Sequence, residues 1–341
     1  MATQANEPSL TLSKFFNDEK IYTPIPIYLP QALTAEQLTN FPAFKNWLTR
    51  LLKNFALQDE ATHRFHARPF RLHRIDVESV VWFGPKPGFV KLQAKVQNYE
   101  DDEAKGLSSG EMAKKGMLWI PGAVFLRGGS VGVLNQPKSS TPTPTPTPSS
   151  REEEEEEEEE TYTLLTIQPR IPSGSLAFPE IPAGMLDGSH NLGGKAAQEI
   201  REETGLVIQE SEMIDMSALA TSKVTLDPSS SSYSPGKLSS TLHEDIQNAM
   251  YPSVGACDES ISLFLCQKRM ARAKLDELRN KQTGLREEGE TITVKVIPFS
   301  ELWREGGRDG KALAALGLYY SLKERDLLPA WPVKPSEREN V

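Results

Sequence analysis

Residues 184–206 read GMLDGSHNLGGKAAQEIREETGL, and our expectations about the fold and the chemistry of the chain depend chiefly on this segment. On a helix, Glu199 lies three positions before Glu202 and four before Glu203, so the three carboxylates share one face. Gly205 follows at a position where helices commonly end in a left-handed residue. Like charges at this spacing weaken a helix unless a cation offsets them. Exposed helices also carry such clusters without a function, so the flanking sequence has to decide between the two interpretations.

The sequence before this helix favours a site for a hard divalent cation. Residues 181–184 (IPAG) leave a predicted strand through a tight turn, and a glycine-rich loop then leads into the helix. Magnesium takes oxygen ligands, usually one or two carboxylates together with water and substrate phosphates. A strand, a loop and a helix with clustered glutamates therefore indicate a magnesium site, and such ions assist the cleavage of a diphosphate.

The same stretch resembles the Nudix box, G-x5-E-x7-R-E-U-x-E-E-x-G-U, in which U is an aliphatic residue. Seven of the nine defined positions match: Gly184, Glu199, Ile200, Glu202, Glu203, Gly205 and Leu206. His190 stands in place of the first glutamate and Gln198 in place of the arginine. We hypothesise that these two residues form a compensated, neutral pair. The double change His190→Glu with Gln198→Arg then alters activity less than Gln198→Arg alone.

A longer part of the chain resembles one subgroup of this family, the nucleotide-sugar diphosphatases that hydrolyse ADP-ribose and ADP-glucose. The similarity runs from about residue 77 to residue 329 and includes the strings GFVKL (88–92), PGAVFLRGGS (121–130), QPR (168–170), EIPAGMLD (180–187), PSVGACDE (252–259) and DGKALAAL (309–316). It implies an α/β (α+β) fold, with an α/β/α sandwich around a mixed β-sheet. A small β-rich N-terminal region that often joins a dimer would precede the sandwich.

The resemblance also implies roles for individual residues. Glu199 and Glu203 would ligate Mg²⁺, for which Mn²⁺ would substitute, and Glu202 would assist them. The carbonyl group of Ala183 would supply a further ligand. Glu259 would act as a general base or as an additional metal ligand.

Three other residues are weaker or separate candidates. Arg170 would contact a substrate phosphate, by the same resemblance. The Arg127-Gly128-Gly129 step could approach a phosphate through its backbone, although a plain turn fits the same residues. Asp258 precedes Glu259 and is as often a turn residue as a catalytic one.

These roles predict Mg²⁺-dependent hydrolysis of a nucleoside diphosphate sugar to a nucleoside monophosphate and a sugar phosphate. A water molecule deprotonated by Glu259 or Glu199 would attack one phosphorus. Two alternatives stay open: a Nudix hydrolase that acts on UDP-glucose or a dinucleotide, and a catalytically idle module that binds ADP-ribose. Residue spacing identifies neither the sugar nor the base.

Composition restricts the partners and the compartment. The net charge of −9 comes entirely from nine consecutive glutamates at 152–160, without which 38 acidic residues face 38 basic ones. We therefore expect no nucleic-acid surface, since that needs a basic excess. No apolar run is long enough for a membrane span, and the N-terminus lacks a recognisable targeting signal. Two cysteines, Cys257 and Cys266, form no metal or disulfide pattern. We therefore expect a cytoplasmic protein. The family resemblance further implies that it forms a homodimer.

The domain organisation follows from composition and periodicity. We expect an N-terminal region at 1–75, a hydrolase domain at 76–330 and a C-terminal tail at 331–341. Disordered insertions are predicted at 136–160, with Thr-Pro repeats and the glutamate run, and at 227–240, which is rich in serine. The apolar runs at 131–134 and 162–168 could pair as a hairpin around the first insertion. Helices are predicted over 34–55, 269–281 and 310–322, and strands over 77–83, 89–96, 260–265 and 290–298.

Overall fold

The computed structural model describes residues 7–12, 24–140, 159–189, 191–221, 244–285 and 289–332. These residues form two compact units. The first unit contains the described residues of Met1–Gly129, Val224–Gln247 and Ser253–Glu259, and the second contains those of Ser130–Lys223, Asn248–Pro252 and Ser260–Val341. No helix in these ranges is long and apolar enough to cross a membrane.

The first unit is built on a six-stranded β-sheet. Its strands are β1 (Leu10–Leu12), β2 (Ile25–Tyr28), β3 (Arg71–Phe83), β4 (Lys86–Gln97), β5 (Trp119–Ile120) and β6 (Ala123–Leu126). Its helices are α1 (Ala35–Asn40), α2 (Pro42–Ala56), α3 (Asp101–Ala104) and α4 (Ser109–Lys114). The strands follow the order β1-β2-β3-β4-β5, and β6 also pairs with β4. Strands β2 and β3 run parallel, whereas the other neighbours run antiparallel.

The first unit contains a long hairpin of β3 and β4. The hairpin reverses at Gly84 and Pro85, as the sequence predicts. Gly84 has a φ of +58°, which residues with a side chain rarely adopt. Strand β3 pairs with β2, and Ile27 and Ile75 lie in one apolar core. Residues on both sides of position 75, where the sequence predicts a boundary, therefore share this compact unit.

The helix predicted over 34–55 is present as two helices. Thr34 begins α1 through a capping box, in which its hydroxyl accepts the N–H of Gln37 at 3.1 Å. Phe41 then adopts an extended conformation with ψ 115°, because the following residue, Pro42, disfavours helical geometry before it. Proline is well suited to the first turn of a helix, so α2 begins at once.

The second unit is built on an eight-stranded mixed sheet. Its strands are β7 (Ser130–Ser140), β8 (Glu159–Arg170), β9 (Ser175–Glu180), β10 (Ala183–Met185), β11 (Met213–Asp215), β12 (Ile261–Arg269), β13 (Gln282–Thr283) and β14 (Ile292–Pro298). Its helices are α5 (Leu192–Thr204), α6 (Met216–Thr221), α7 (Arg272–Leu278), α8 (Leu302–Glu305) and α9 (Gly310–Glu324). The main order is β11-β12-β7-β8-β14-β13, with β10 beside β7 and β9 beside β8. Only the β12–β7 pairing in this sheet of described strands is parallel.

Helices cover both faces of this sheet. Successive residues of β12 face opposite ways, so that Phe264 belongs to a core with α5 and α7, and Leu265 to a core with α6, α8 and α9. Leu164 and Leu165 of β8 divide between the same two cores. The α/β/α sandwich with a mixed sheet, which the resemblance implies, is confirmed.

The predicted hairpin around the first insertion is also confirmed, although its pairing lies further along the strands. Ser140 lies opposite Glu159, and Lys138 opposite Thr161. Residues 136–140 and 159–160 are therefore strand, and the expectation of disorder there was wrong. Ion pairs offset the charge of the last two glutamates, since Arg269 binds Glu159 at 2.9 Å and Arg272 binds Glu160 at 3.2 Å. Residues 141–158 and 227–240 lie outside the described residues.

One predicted helix in the second unit is shorter than expected. The charged stretch at 269–281 forms a helix only over Arg272–Leu278, because Arg269 continues β12 opposite Lys138. Helix α9 agrees with the prediction and begins directly after Asp309, whose carboxylate accepts the N–H of Lys311 at 3.2 Å.

The sheet opens where β7 and β8 separate. The first residues of β7 pair with β10, while the last residues of β8 pair with β9. Helix α5 contacts both β10 and β7. The glutamates of α5 are therefore placed at this opening, beside the backbone of Ala183 and Gly184.

Candidate active site

Helix α5 places the glutamates, and local sequence explains its limits. The Asn191 side chain accepts the N–H of Gly194 at 2.9 Å and caps the first turn. Gly205 ends the helix in a left-handed conformation with φ +77°, as predicted. Ala196 and Ile200 are fully buried in the core. The buried side of α5 thus carries Glu199 and Glu203 as well as apolar residues.

Glu203 is the most deeply buried acid of the cluster, with 5% of its surface exposed. One carboxylate oxygen accepts the N–H of Ala183 at 3.0 Å, and the other accepts the side-chain amide of Gln168 at 3.3 Å. Burial raises the pKa of Glu203 to about 8, and the nearby charges of Glu180 and Glu199 add to this effect. The two hydrogen bonds act in the opposite direction but are outweighed.

Glu199 lies against the backbone of β10, with 9% of its surface exposed. A Cβ atom added to Gly184 would lie 1.8 Å from the Glu199 carboxyl carbon, so a side chain at this position would require the carboxylate to move. The Lys195 ammonium lies 2.7 Å from Glu199 Oε1. The pKa of Glu199 is nevertheless raised, because burial outweighs the attraction of Lys195.

Glu202 is less buried than the other two glutamates. Its Oε1 accepts the side-chain amide of Gln198 at 2.9 Å. Gln198 therefore pairs with a glutamate of the cluster. The predicted partner of Gln198, His190, lies outside the described residues, so the compensated pair stays a hypothesis.

A network of charged residues lies behind Ala183. The buried carboxylate of Glu180 accepts Arg170 Nε at 2.6 Å and also binds the Lys311 ammonium. Lys311 lies 3.1 Å from Asp309, which accepts the N–H of Ile181 at 3.0 Å. Burial raises the pKa of Asp309, although Lys311 opposes this. The network fixes the short connection between β9 and β10. It also fixes Arg170, whose Nε donates a hydrogen bond to Glu180.

The remaining predicted residues lie in the first compact unit. Arg127 Nη1 pairs with Glu259 at 3.3 Å, and the buried Arg127 Nε has no hydrogen-bond acceptor among the residues that the structure describes. Asp258 accepts the N–H groups of Arg127 at 2.7 Å and Gly128 at 3.1 Å. Asp258 thus holds the Arg127-Gly128 turn, whereas the helix glutamates, Ala183 and Arg170 belong to the second unit.

The chemistry of the second-unit carboxylates fits a hard divalent cation. Within the described ranges, no three His, Cys, Asp or Glu side chains are already arranged around a common point for a metal. The donors nevertheless have the right type, since Glu199, Glu202 and Glu203 supply carboxylate oxygens. Burial raises the pKa of Glu199 and of Glu203, so additional positive charge beside them would favour their ionised forms. A bound cation would supply that charge.

Several residues of the site were not singled out from the sequence. Lys195 is four positions before Glu199, and this spacing was an available signal. Gln168, Glu180 and Lys311 occur within the strings that carry the resemblance, but nothing in a string shows which residues meet. Their roles depend on contacts between distant parts of the chain.

No family model matches the chain. The chain is, however, 30% identical over 294 residues to Nudix hydrolase 14, chloroplastic, of Arabidopsis thaliana, and the match covers 86% of this chain and 74% of that protein. The chain belongs to the Nudix hydrolase family. As a Nudix hydrolase it is an enzyme that hydrolyses pyrophosphate bonds, and Nudix hydrolases generally use divalent metal ions.

One solved structure is similar in outline to this Nudix hydrolase. It is the crystal structure of an ADP compounds hydrolase, with 10% sequence identity and a TM-score of 0.36. The match covers 75% of this chain and 98% of that one. A similarity this distant carries no argument about the site or the substrate.

Proposed function

We propose that this Nudix hydrolase cleaves the diphosphate bond of a nucleoside diphosphate sugar of the ADP-ribose or ADP-glucose type. The proposal depends chiefly on one observation: Glu199 and Glu203 are buried together against the backbone of Ala183 and Gly184. Two buried carboxylates are costly unless something neutralises them. A divalent cation that also binds a diphosphate meets this need.

Mg²⁺, or Mn²⁺ in its place, would be held by Glu199 and Glu203, with Glu202 and the carbonyl group of Ala183 as further ligands. When bound, the cation supplies positive charge to the diphosphate and polarises its phosphorus. Gln168 and the N–H of Ala183 hold Glu203 in place through its two oxygens. These contacts orient the carboxylate before any ligand arrives.

The proposed reaction is a hydrolysis in which a carboxylate, Glu259 or Glu199, accepts a proton from water. The water oxygen bonds to one phosphorus, the bond from that phosphorus to the bridging oxygen breaks, and a proton is taken up by the departing phosphate. The products are a nucleoside monophosphate and a sugar phosphate. Stabilisation of the transferring group's charge is the largest contribution to catalysis.

Two arginines are proposed to bind the substrate phosphates. Glu180 accepts from Nε of Arg170, and this contact leaves the terminal Nη groups out of the pair. Arg127 carries a second guanidinium, paired with Glu259. Substitution of Arg170 by Met is expected to raise KM more than it lowers kcat.

The test is product release from a panel of substrates with and without Mg²⁺. ADP-ribose, ADP-glucose, UDP-glucose and a dinucleotide would be incubated with the full chain, and nucleoside monophosphate measured by anion-exchange chromatography. The proposal expects the ADP-sugars to react fastest and EDTA to stop the reaction. Fastest turnover of UDP-glucose or the dinucleotide would change the substrate class. No turnover with tight ADP-ribose binding would indicate an idle binding module.

The assembly and compartment are part of the same proposal. We propose a cytoplasmic homodimer, and exposed apolar side chains of the first unit, such as Phe83 and Trp119, fit an interface in that unit. Light scattering coupled to size exclusion gives the mass directly. A monomeric mass at micromolar concentration would remove the dimer from the proposal.

A further inference from the structure

Lys195 occupies a place where the rules for isolated helices disfavour a lysine. It is the fourth residue of α5, close to the N-terminus, where the helix dipole opposes positive charge. It also precedes its partner Glu199, which is the less favourable order for a Lys–Glu pair four residues apart. The stability of the isolated helix therefore does not explain why a lysine occupies position 195. The explanation has to come from the residues around it.

The surroundings of Lys195 are acidic. Its ammonium lies 2.7 Å from Glu199 Oε1, and the charges of Asp187 and Glu202 also act on it. The pair is largely shielded from solvent, with 17% of the Lys195 side chain and 12% of the Glu199 side chain exposed. One cation thus already pairs with Glu199, which is one of the carboxylates that are proposed to hold the metal.

The Glu199 carboxylate lies close to the backbone of β10 and to Lys195. The backbone of Gly184 lies directly against its carboxylate, in the space that a side chain would otherwise fill. Oε1 is the oxygen that Lys195 contacts. A divalent ion that binds this oxygen must therefore compete with the ammonium.

We infer that Lys195 is a resident counter-ion of the metal site, which a divalent cation displaces from Glu199 when it binds. This inference rests on the proposed function, because it takes Glu199 as a metal ligand. It assigns Lys195 a positioning role: the ammonium stabilises the metal-free site and weakens the affinity for the metal.

The test compares Mn²⁺ binding to the metal-free full chain by calorimetry, with melting temperature as a second readout. Lys195→Met is expected to bind Mn²⁺ about tenfold more tightly than the unaltered protein, the effect of losing one competing charge-assisted hydrogen bond. Its metal-free form is expected to melt at a lower temperature, and saturating Mn²⁺ is expected to raise that temperature by more than in the unaltered protein.

Two further variants make the test decisive. Lys195→Arg keeps the charge and holds carboxylates through two donors, so its Mn²⁺ affinity is expected to equal or fall below that of the unaltered protein. Lys274→Met removes an exposed pair with Glu277, 2.8 Å apart on another helix, and is expected to change neither readout. Unchanged or weaker binding by Lys195→Met, or tighter binding by Lys195→Arg if the Met variant does not fold, would overturn the inference.

The same titrations separate this inference from the proposed function. Failure of the unaltered protein and of Lys195→Met to bind Mn²⁺ or Mg²⁺ would overturn the metal site itself, and the counter-ion with it. Equal affinity in both proteins would leave the metal site intact and refute only the role of Lys195.

Discussion

At the scale of single residues, burial decides the behaviour of Glu203. Its hydrogen bonds to Ala183 and Gln168 favour the charged carboxylate, but burial dominates and raises its pKa to about 8. Without a cation, Glu203 is therefore mostly protonated at neutral pH. Metal binding at this residue has to release a proton, because a ligating carboxylate is charged.

The raised pKa predicts how the stability of the metal-free protein depends on pH. The unfolded chain releases the Glu203 proton near the ordinary pKa of 4.5, whereas the folded chain keeps it until about pH 8. The folded state binds more protons in this window, so stability falls as pH rises through it. The contribution is up to about 1.4 kcal/mol per pH unit. Urea denaturation at pH 5, 6, 7 and 8 measures it.

The control for this pH dependence is Glu203→Gln, which keeps the shape of the side chain but does not titrate. Its unfolding free energy should fall less steeply between pH 5 and pH 8. Identical slopes in the two proteins would show that Glu203 has an ordinary pKa.

The catalytic role of Glu203 is a separate prediction. Loss of its charge in Glu203→Gln is expected to lower kcat by roughly two orders of magnitude or more, the size typical of losing a key electrostatic element. Steady-state kinetics with saturating Mg²⁺ and ADP-ribose provide the measurement. Near-normal turnover by a folded variant would refute the assignment of Glu203 to the metal.

At the scale of elements, the contact between α5 and β10 depends on Gly184. A side chain at this position would meet the Glu199 carboxyl group at 1.8 Å, so Gly184→Ala must move either the helix or the carboxylate. Because the atoms in the way are the flexible end of the Glu199 side chain, we expect a loss of at most about 1 kcal/mol in unfolding free energy, together with a weaker affinity for Mn²⁺. Chemical denaturation and calorimetry measure the two effects.

Gly317→Ala is the matched control for that substitution. Gly317 lies within α9, and a Cβ atom there would meet nothing within 4 Å. Alanine is the better helix former, so this variant is expected to be as stable or up to about 1 kcal/mol more stable. Equal effects of the two substitutions would contradict the close contact at Gly184.

The network behind β10 is expected to be essential for stability. Lys311→Met leaves the buried carboxylates of Glu180 and Asp309 without their shared cation, and breaking a buried ion pair typically costs about 3–5 kcal/mol. Lys295→Met is the control, since its pair with Glu305 is more exposed and therefore contributes little to stability. Urea denaturation of both variants would decide, and a Lys311→Met effect no larger than the control would count against the network.

The sequence predicted those elements whose cause is local. The end of α5 at Gly205, the turn at Gly84 and the start of α9 after Asp309 each depend on residues close in the chain. The contact of Lys311 with Glu180 joins residues 131 positions apart, so residue spacing could not reveal it. Arg269 was likewise predicted to be helical, because its strand partner, Lys138, is distant in sequence.

In the chain as a whole, the first insertion lies between two strands of the second unit, β7 and β8, which pair with each other. Ser140 lies opposite Glu159, so residues 141–158 join the two ends of a hairpin that is already closed. Replacing them with an Asn-Gly turn is expected to preserve kcat, and to raise stability by at most about 2 kcal/mol through a shorter loop. Kinetics and urea denaturation of the shortened chain provide the test; loss of activity would assign the insertion a part in catalysis.

The parallel pairing of β7 with β12 has a consequence for how the chain is made. The two strands lie side by side, but residues 130–138 leave the ribosome long before their partners at 261–269. Such distant pairings slow folding, because the long intervening loop must close first. During synthesis, the edge of β7 that pairs with β12 therefore stays unpaired, and its apolar residues stay exposed, until most of the chain has emerged. We therefore expect chaperones that recognise extended apolar segments to bind nascent chains of this protein.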